Sequence, residues 1–258
     1  MPHFKLTLAY DGTAYCGWQV QVGQPTIQGT IEAAILKLTG QAVRITASGR
    51  TDSGVHALGQ VASFSADCRF TADEMRTALN AILPDDMAVL AACEVPATFD
   101  PIRHARRKRY RYVIHDSRVR DVFARRYCWH ITTGRLDVEA MRRAAAPLVG
   151  RHDFASFETS GSERATSVRT VFELELGRGR GGRAQQGTDE AANEIVLEIE
   201  ADGFLYNMVR VIVGTLVEVG RGVQDEAWPA QVLAACDRRA AGPTAPPEGL
   251  FLVRVQYE

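Results

Sequence analysis

Strict alternation of apolar and polar residues opens the chain and predicts a half-buried strand over residues 4–10. Residues 27–38 instead place apolar side chains at helical spacing, with Thr26 as the residue that caps the helix. Further periodic segments predict a short strand at 43–47, a strand at 60–66, a helix at 71–82 opened by a capping box, and a strand at 87–95. The order β-α-β-β-α-β is that of a ferredoxin-like split arrangement.

The second half of the chain repeats this pattern loosely. The remaining predicted elements are strands at 110–115, 168–176, 195–201 and 250–257, and helices at 138–148, 204–219 and 228–235. We therefore predict an α+β fold of two related ferredoxin-like halves, residues 1–102 and 103–258. The halves are expected to share one mixed, mainly antiparallel sheet with helices on one side.

A glycine- and arginine-rich stretch at residues 177–193 separates two of the predicted strands. Such a composition cannot bury apolar area, so the stretch is predicted to be a mobile hairpin loop. Its three arginines could touch RNA phosphates, although a solvated insertion is the favoured interpretation.

Composition and charge narrow the class of protein only partly. The formal net charge of −1 over 258 residues gives no sign of a polyanionic partner, so any nucleic-acid surface must come from local segregation of charge. The five cysteines are scattered, odd in number and without a C-x-x-C pair, which argues against a disulfide framework or structural zinc. With no signal-peptide pattern and no apolar run of membrane-span length, a cytoplasmic protein is expected.

The glycine-flanked stretch at residues 49–57 is the first candidate for chemistry. Its glycines let the backbone turn sharply, so Asp52 and Arg50 are predicted to project from one tight loop between two strands. An ionised carboxylate in a dry pocket can act as a nucleophile or a base. An aspartate that only forms an Asx turn fits the spacing equally well. His56 has no acidic neighbour along the chain and is interpreted as structural or merely surface-exposed.

A dense basic run at residues 103–112 is the second candidate. Six of these ten residues are Lys or Arg and none is acidic, and the run leads into a strand that places Tyr110 and Tyr112 on one face. This combination favours RNA binding over a solvated strand edge with its tyrosines in the core. The residues predicted to contact the RNA backbone are Arg106, Arg107, Lys108, Arg109 and Arg111, and the arginines at 118, 120, 125 and 126 extend the basic surface.

Arg210 is the third candidate, because it falls in a predicted helix that is apolar on most sides. A buried arginine needs a carboxylate partner, since an unpaired buried charge costs on the order of several kcal/mol. Asp52 is one candidate partner, and spacing makes Asp202 or Glu218 about as suitable. Motifs for nucleotide or metal binding are absent, so the chemistry is predicted to need neither cofactor nor metal.

Taken together, these motifs resemble one family, the tRNA pseudouridine synthase A family. The similarity covers nearly the whole chain, through residues 10–19, 26–29, 49–57, 109–112, 150–157, 208–210 and 248–250. It implies a catalytic Asp52, a substrate-stacking Tyr110, active-site arginines at Arg50 and Arg210, and Leu250 lining the base pocket. The implied activity is isomerisation of uridines 38, 39 and 40 in the anticodon arm of tRNA, by a homodimer that cradles one tRNA across both subunits.

Two features depart from the family pattern. Asn207 stands where many members carry a histidine, and the stretch at 177–193 is longer than expected. The residues alone are also compatible with two other functions. One is a non-catalytic RNA-binding module built on the basic run. The other is a glycosidase-like hydrolase that would use Asp52 as one of two carboxylates, although no second carboxylate lies in a comparable loop.

Overall fold

The computed structural model describes residues 1–159, 166–179 and 194–257. The chain divides into two compact units, Met1–Arg106 with Phe251–Glu258, and Arg107–Leu250. The predicted α+β class, with mixed but mainly antiparallel strands, is confirmed. Within these ranges, none of the helices has the length and apolar character needed to cross a membrane.

The N-terminal unit confirms the predicted order β-α-β-β-α-β. Its elements are β1 (His3–Tyr10), α1 (Ile27–Thr39), β2 (Thr46–Ala47), β3 (His56–Ser65), α2 (Ala72–Asn80) and β4 (Met87–Glu94). Strand β1 pairs antiparallel with both β3 and β4, and β2 pairs antiparallel with β3. The end of the chain supplies a further strand to this unit, because β10 (Leu250–Gln256) pairs in parallel with β3 from Phe251 onward.

Local chemistry explains these elements. Every second residue of β1 is buried, as its alternation predicts. The Thr26 side chain accepts a hydrogen bond from the Gly29 backbone and caps α1. Thr71 and Glu74 form the predicted capping box at the start of α2, and each such cap contributes about 1 kcal/mol.

The C-terminal unit is built on an antiparallel sheet. Its elements are β5 (Arg107–His115), β6 (Trp129–His130), α3 (Val138–Ala145), β7 (Gly150–Asp153), β8 (Val168–Arg178), β9 (Glu194–Ala201), α4 (Met208–Gly220) and α5 (Trp228–Ala235). Strand β9 lies between β5 and β8, and β7 pairs with β8. The short β6 pairs in parallel with β5. Strands β6 and β7 were not predicted, because two and four residues are too few to show a period.

Helix α4 begins four residues later than its apolar pattern predicts. Asn207 has a left-handed backbone (φ 59°), which a right-handed helix cannot contain. Its side chain donates to Thr159 Oγ1 at 2.8 Å and accepts from Arg210 at 2.7 Å. Asparagine tolerates this backbone conformation better than most residues, which accounts physically for its presence at this position.

The structure also corrects the start of the loop predicted at 177–193. Gly177 and Arg178 extend β8, and residues 180–193 lie outside the described part of the chain. Arg178 donates to both carboxylate oxygens of Asp116, at 2.9 and 2.7 Å, and to the Leu136 carbonyl at 3.0 Å. The Asp116 side chain is fully buried, so Arg178 is held by an internal carboxylate.

Candidate active site

Asp52 lies in the loop between β2 and β3, and it is partly exposed. The Val55 backbone donates to the Asp52 carbonyl at 3.1 Å, and Gly54 has a φ of +78°. The chain therefore turns sharply just after Asp52, as its glycines predict. Arg50, on the same loop, is exposed.

A buried hydrogen-bond network fixes the first side of this loop. Gln60 is fully buried, donates to the Gly49 carbonyl at 2.9 Å and accepts from the Ser48 hydroxyl at 2.7 Å. The Tyr10 hydroxyl bonds Thr51 Oγ1 at 2.8 Å. Burial raises the pKa of Tyr10 to about 12 despite its hydrogen bonds to Thr51 and Gln60, so the hydroxyl stays protonated at neutral pH.

The segment between β1 and α1 holds the other side of the loop. The Trp18 backbone donates to the Thr51 carbonyl at 2.9 Å, and Ser53 Oγ donates to the Tyr15 carbonyl at 3.1 Å. Gly17 has a φ of +81°, and a Cβ there would lie 2.7 Å from the Thr51 carbonyl oxygen. Only glycine allows the two segments to approach this closely.

His56 is buried at the end of this loop, where β3 begins. It is 2% exposed, its Nδ1 lies 3.1 Å from both Asp11 Oδ1 and the Gly12 nitrogen, and its ring stacks on Phe251 at 4.7 Å. Of the two interpretations of His56, these contacts favour the structural one over surface exposure. The acidic neighbour that is missing along the chain comes from Asp11, at the end of β1.

The loop thus presents Asp52 on a backbone fixed from two directions, which is the preorganisation that catalysis requires. The sequence identified Asp52 but not the residues that hold its loop. The signal for them was the motif at residues 10–19, whose glycines mark a close backbone approach.

In the C-terminal unit, the two tyrosines of β5 have different environments. Tyr112 is fully buried, and its hydroxyl donates to the Pro246 carbonyl at 2.7 Å. Tyr110 is partly exposed and meets Phe204 edge to face, with 5.0 Å between ring centroids. Tyr112 therefore belongs to the core, whereas part of the Tyr110 side chain is accessible.

Arg210 is fixed at the start of α4. Its Nε donates to the Ala245 carbonyl at 2.7 Å, its guanidinium also donates to Asn207 Oδ1, and its own carbonyl accepts from the Ala245 nitrogen at 3.0 Å. Arg210 thus ties the segment before β10 to the helix.

The alternative carboxylate partners of Arg210 are engaged elsewhere. Asp202 accepts from the Thr170 backbone at 3.0 Å, and Glu218 pairs with Arg221 at 2.8 Å. Asp52 belongs to the other compact unit, and its pairing with Arg210 stays a prediction.

Leu250 is buried at the first position of β10. It follows Gly249, where a Cβ would lie 2.7 Å from the Tyr112 ring. Glycine at this position lets the backbone pack directly on the aromatic core, and this contact sets where Leu250 lies.

The basic run has acidic partners that the sequence did not reveal. Arg107, Arg109 and Arg111 alternate along β5 and pair with glutamates of β9 and β8. The pairs are Arg107–Glu200 at 3.2 Å, Arg109–Glu198 at 2.9 Å, Arg109–Glu200 at 3.2 Å, Arg111–Glu198 at 2.6 Å and Arg109–Glu173. The assumption that this run lacks nearby acids is wrong, because the sheet brings in residues distant along the chain. RNA contact by Arg106, Arg107, Lys108, Arg109 and Arg111 stays a prediction.

This network predicts a pH-dependent stability. Partial burial would raise the pKa of Glu198, but hydrogen bonds from Arg111 and Arg109 outweigh it and hold the pKa below its usual value. Its stabilising effect is therefore complete above the unfolded-state pKa and is lost as pH falls through the lowered folded-state pKa. We expect Glu198→Gln to cost about 1 kcal/mol at pH 7 and progressively less as pH falls below the unfolded-state pKa and through the lowered folded-state pKa. Urea unfolding midpoints measured over a series of falling pH values test this, with exposed Glu94→Gln as the control.

The sequence model of the tRNA pseudouridine synthase family matches residues 7–103 and 144–258. The chain belongs to this family. The tRNA pseudouridine synthase A of Moorella thermoacetica is 49% identical over 260 residues, covering 100% of both chains. That of Acetivibrio thermocellus is 45% identical over 259 residues, again covering 100% of both. That of Myxococcus xanthus is 45% identical over 257 residues, covering 100% of this chain and 92% of the relative.

The chain is thus a member of a family of isomerases, and the match includes most of the candidate residues. Asp52, Arg50, Arg210 and Leu250 lie within the matched ranges, whereas Tyr110 lies between them. Their individual roles stay predictions and are taken up below.

Loop positioning by Gln60 has a measurable consequence for a pseudouridine synthase. Gln60→Leu removes the donor to the Gly49 carbonyl and the acceptor of the Ser48 hydroxyl hydrogen bond, so the Asp52 loop should shift. A misplacement of about 1 Å can cost about 100-fold in rate, so we expect kcat to fall by about 10- to 100-fold with little change in KM. Steady-state pseudouridine formation tests this, and exposed Gln231→Leu is the control. A loss confined to KM would contradict the positioning role.

Proposed function

We propose that this protein isomerises uridines 38, 39 and 40 of the tRNA anticodon arm to pseudouridine, with Asp52 as its catalytic carboxylate. The observation that carries the proposal is a carboxylate on a loop anchored from both sides, in a chain of the tRNA pseudouridine synthase family. The relatives named above, each a tRNA pseudouridine synthase A, support tRNA as the substrate.

The reaction is an isomerisation that balances without a cofactor. The bond between ribose C1′ and uracil N1 breaks, the base turns, and C1′ bonds to C5. The C5 proton leaves and N1 gains a proton, so no oxidant or reductant is consumed. Asp52 has three possible first steps, which are attack at C1′, attack at C6, or removal of the C2′ proton to give a glycal.

The substrate-binding residues act on a base that has left its stack. Flipping the uridine out costs on the order of a few kcal/mol, which contacts to the extruded base must offset. Tyr110 is accessible enough to stack on it, and Leu250 offers an apolar wall. Arg50, exposed on the Asp52 loop, would fill the vacated position, and Arg210 contributes a fixed positive charge to substrate binding.

We further propose that the working form is a cytoplasmic homodimer. Light scattering of the purified chain with and without tRNA measures the subunit number. A monomer in both conditions would overturn this part of the proposal.

Tritium release tests the activity directly. We expect tRNA labelled with tritium at uracil C5 to lose its label to water when incubated with the protein. An RNA-binding module would leave the label in place, and a hydrolase would release free uracil with its label. Sequencing of modified positions then tests whether release comes from uridines 38, 39 and 40.

A further inference from the structure

Residues 117–127, the central part of the connection between β5 and β6, display apolar side chains to solvent; we refer to these residues as the β5–β6 loop. Val119, Val122 and Phe123 are 77%, 55% and 82% exposed. Phe123 is the most exposed aromatic side chain in the described part of the chain. Exposed apolar side chains clustered in this way mark interaction surfaces.

Hydrogen bonds give the loop a defined shape. Asp121 Oδ1 accepts from the backbone of Phe123 at 2.7 Å and of Ala124 at 3.0 Å, which forms an Asx turn that presents the Phe123 ring. At the base of the loop, the Ser117 carbonyl lies 2.7 Å from His130 Nε2. Pairing of β5 with β6 holds the two ends together, as in compact loops that often carry function.

The loop is also basic. Arg118, Arg120, Arg125 and Arg126 are all exposed, and Asp121 is the one acid between residues 117 and 127. Arg118 and Arg120 form no ion pair within residues 1–159, 166–179 and 194–257. The arginines of β5, by contrast, are largely neutralised by the glutamates of β8 and β9. Available positive charge therefore lies beside the exposed Phe123 ring.

We propose that the β5–β6 loop is a second RNA-contact surface, which binds tRNA through Arg118, Arg120 and Arg125 on phosphates and through Phe123 stacked on an unpaired base. Arginines interleaved with an accessible aromatic ring are the combination that binds single-stranded nucleic acid. A second copy of the chain fits less well, because a two-fold contact brings the same arginines face to face. The identity of the RNA as tRNA rests on the proposed function.

Salt-dependent affinity separates the two kinds of contact. Binding of an unmodified tRNA transcript is measured between 50 and 200 mM NaCl for wild type, Phe123→Ala, and Arg118→Gln with Arg120→Gln. Loss of two phosphate contacts should lower the slope of log affinity against log salt by about 1.5. Phe123→Ala should weaken binding by roughly tenfold with an unchanged slope, because it removes stacking and no charge.

Controls cover charge and folding. Arg76→Gln with Arg239→Gln removes one half-buried and one exposed arginine elsewhere and should leave the slope within about 0.5 of the wild-type value. Phe123→Trp keeps a stacking surface and should keep wild-type affinity. Urea midpoints show whether each variant is folded. If Phe123→Ala proves unstable, the double arginine variant alone decides.

The outcomes distinguish this inference from the proposed function. Wild type that forms no pseudouridine, with loop variants that still lose tRNA affinity, defeats the proposed function and supports the loop surface. Active wild type with loop variants that match the control defeats the loop surface alone. A Phe123→Ala protein with a smaller subunit number and unchanged tRNA affinity would show a contact between copies, which also overturns the inference.

Discussion

Replacing Asp52 with asparagine is expected to abolish pseudouridine formation while tRNA affinity stays within about threefold of wild type. Asparagine preserves the size of the side chain but cannot attack as a nucleophile or take a proton. Loss of a positioned acid–base group alone costs about 100- to 10,000-fold, so we expect at least a thousandfold fall in kcat. Single-turnover tritium release and equilibrium tRNA binding measure the two effects separately.

The structure makes this substitution interpretable. The loop is held through Gln60, Thr51 and Ser53, which bond Gly49, Tyr10 and Tyr15, and Asp52→Asn leaves these residues in place. Asp67→Asn, an exposed acid of the same unit, is the matched control and should keep full activity. Tritium release by a pure Asp52→Asn preparation at more than a tenth of the wild-type rate would refute the catalytic assignment.

The order of the secondary-structure elements could be predicted because each element depends on residues that are close together in the sequence. Period-two burial along β1 and the capping box before α2 depend on neighbouring residues alone, and both were predicted correctly. The same holds for the sharp turn after Asp52, which requires only its flanking glycines. The predicted start of α4 was wrong because one residue, Asn207, takes a left-handed backbone conformation that an apolar pattern does not show.

What the sequence could not give is pairing over long separations. The glutamates opposite Arg109 lie some ninety residues later in the chain, in β9, so a basic run without local acids was interpreted as unpaired. The contact of Asp11 with His56 and the pairing of Phe251 with β3 also join residues that are distant along the chain, so they were not predicted either. Charge along a chain therefore overestimates charge on a surface wherever an antiparallel neighbour carries the opposite sign.

Replacing Arg178 with methionine is expected to destabilise the C-terminal unit by about 3–5 kcal/mol. The substitution keeps an apolar stem and leaves the fully buried Asp116 carboxylate without its cation, and an uncompensated buried charge carries a cost of this size. Among the described contacts, the Asp116 carboxylate then keeps only the Leu136 backbone donor, at 2.9 Å. Urea unfolding at pH 7 measures the loss as a lower midpoint.

A second substitution shows whether charge is the cause. Asp116→Asn in the Arg178→Met background removes the stranded charge and should recover about half of the lost stability, so the two changes are strongly non-additive. A deficit unchanged by Asp116→Asn would instead assign the loss to packing of the Arg178 side chain.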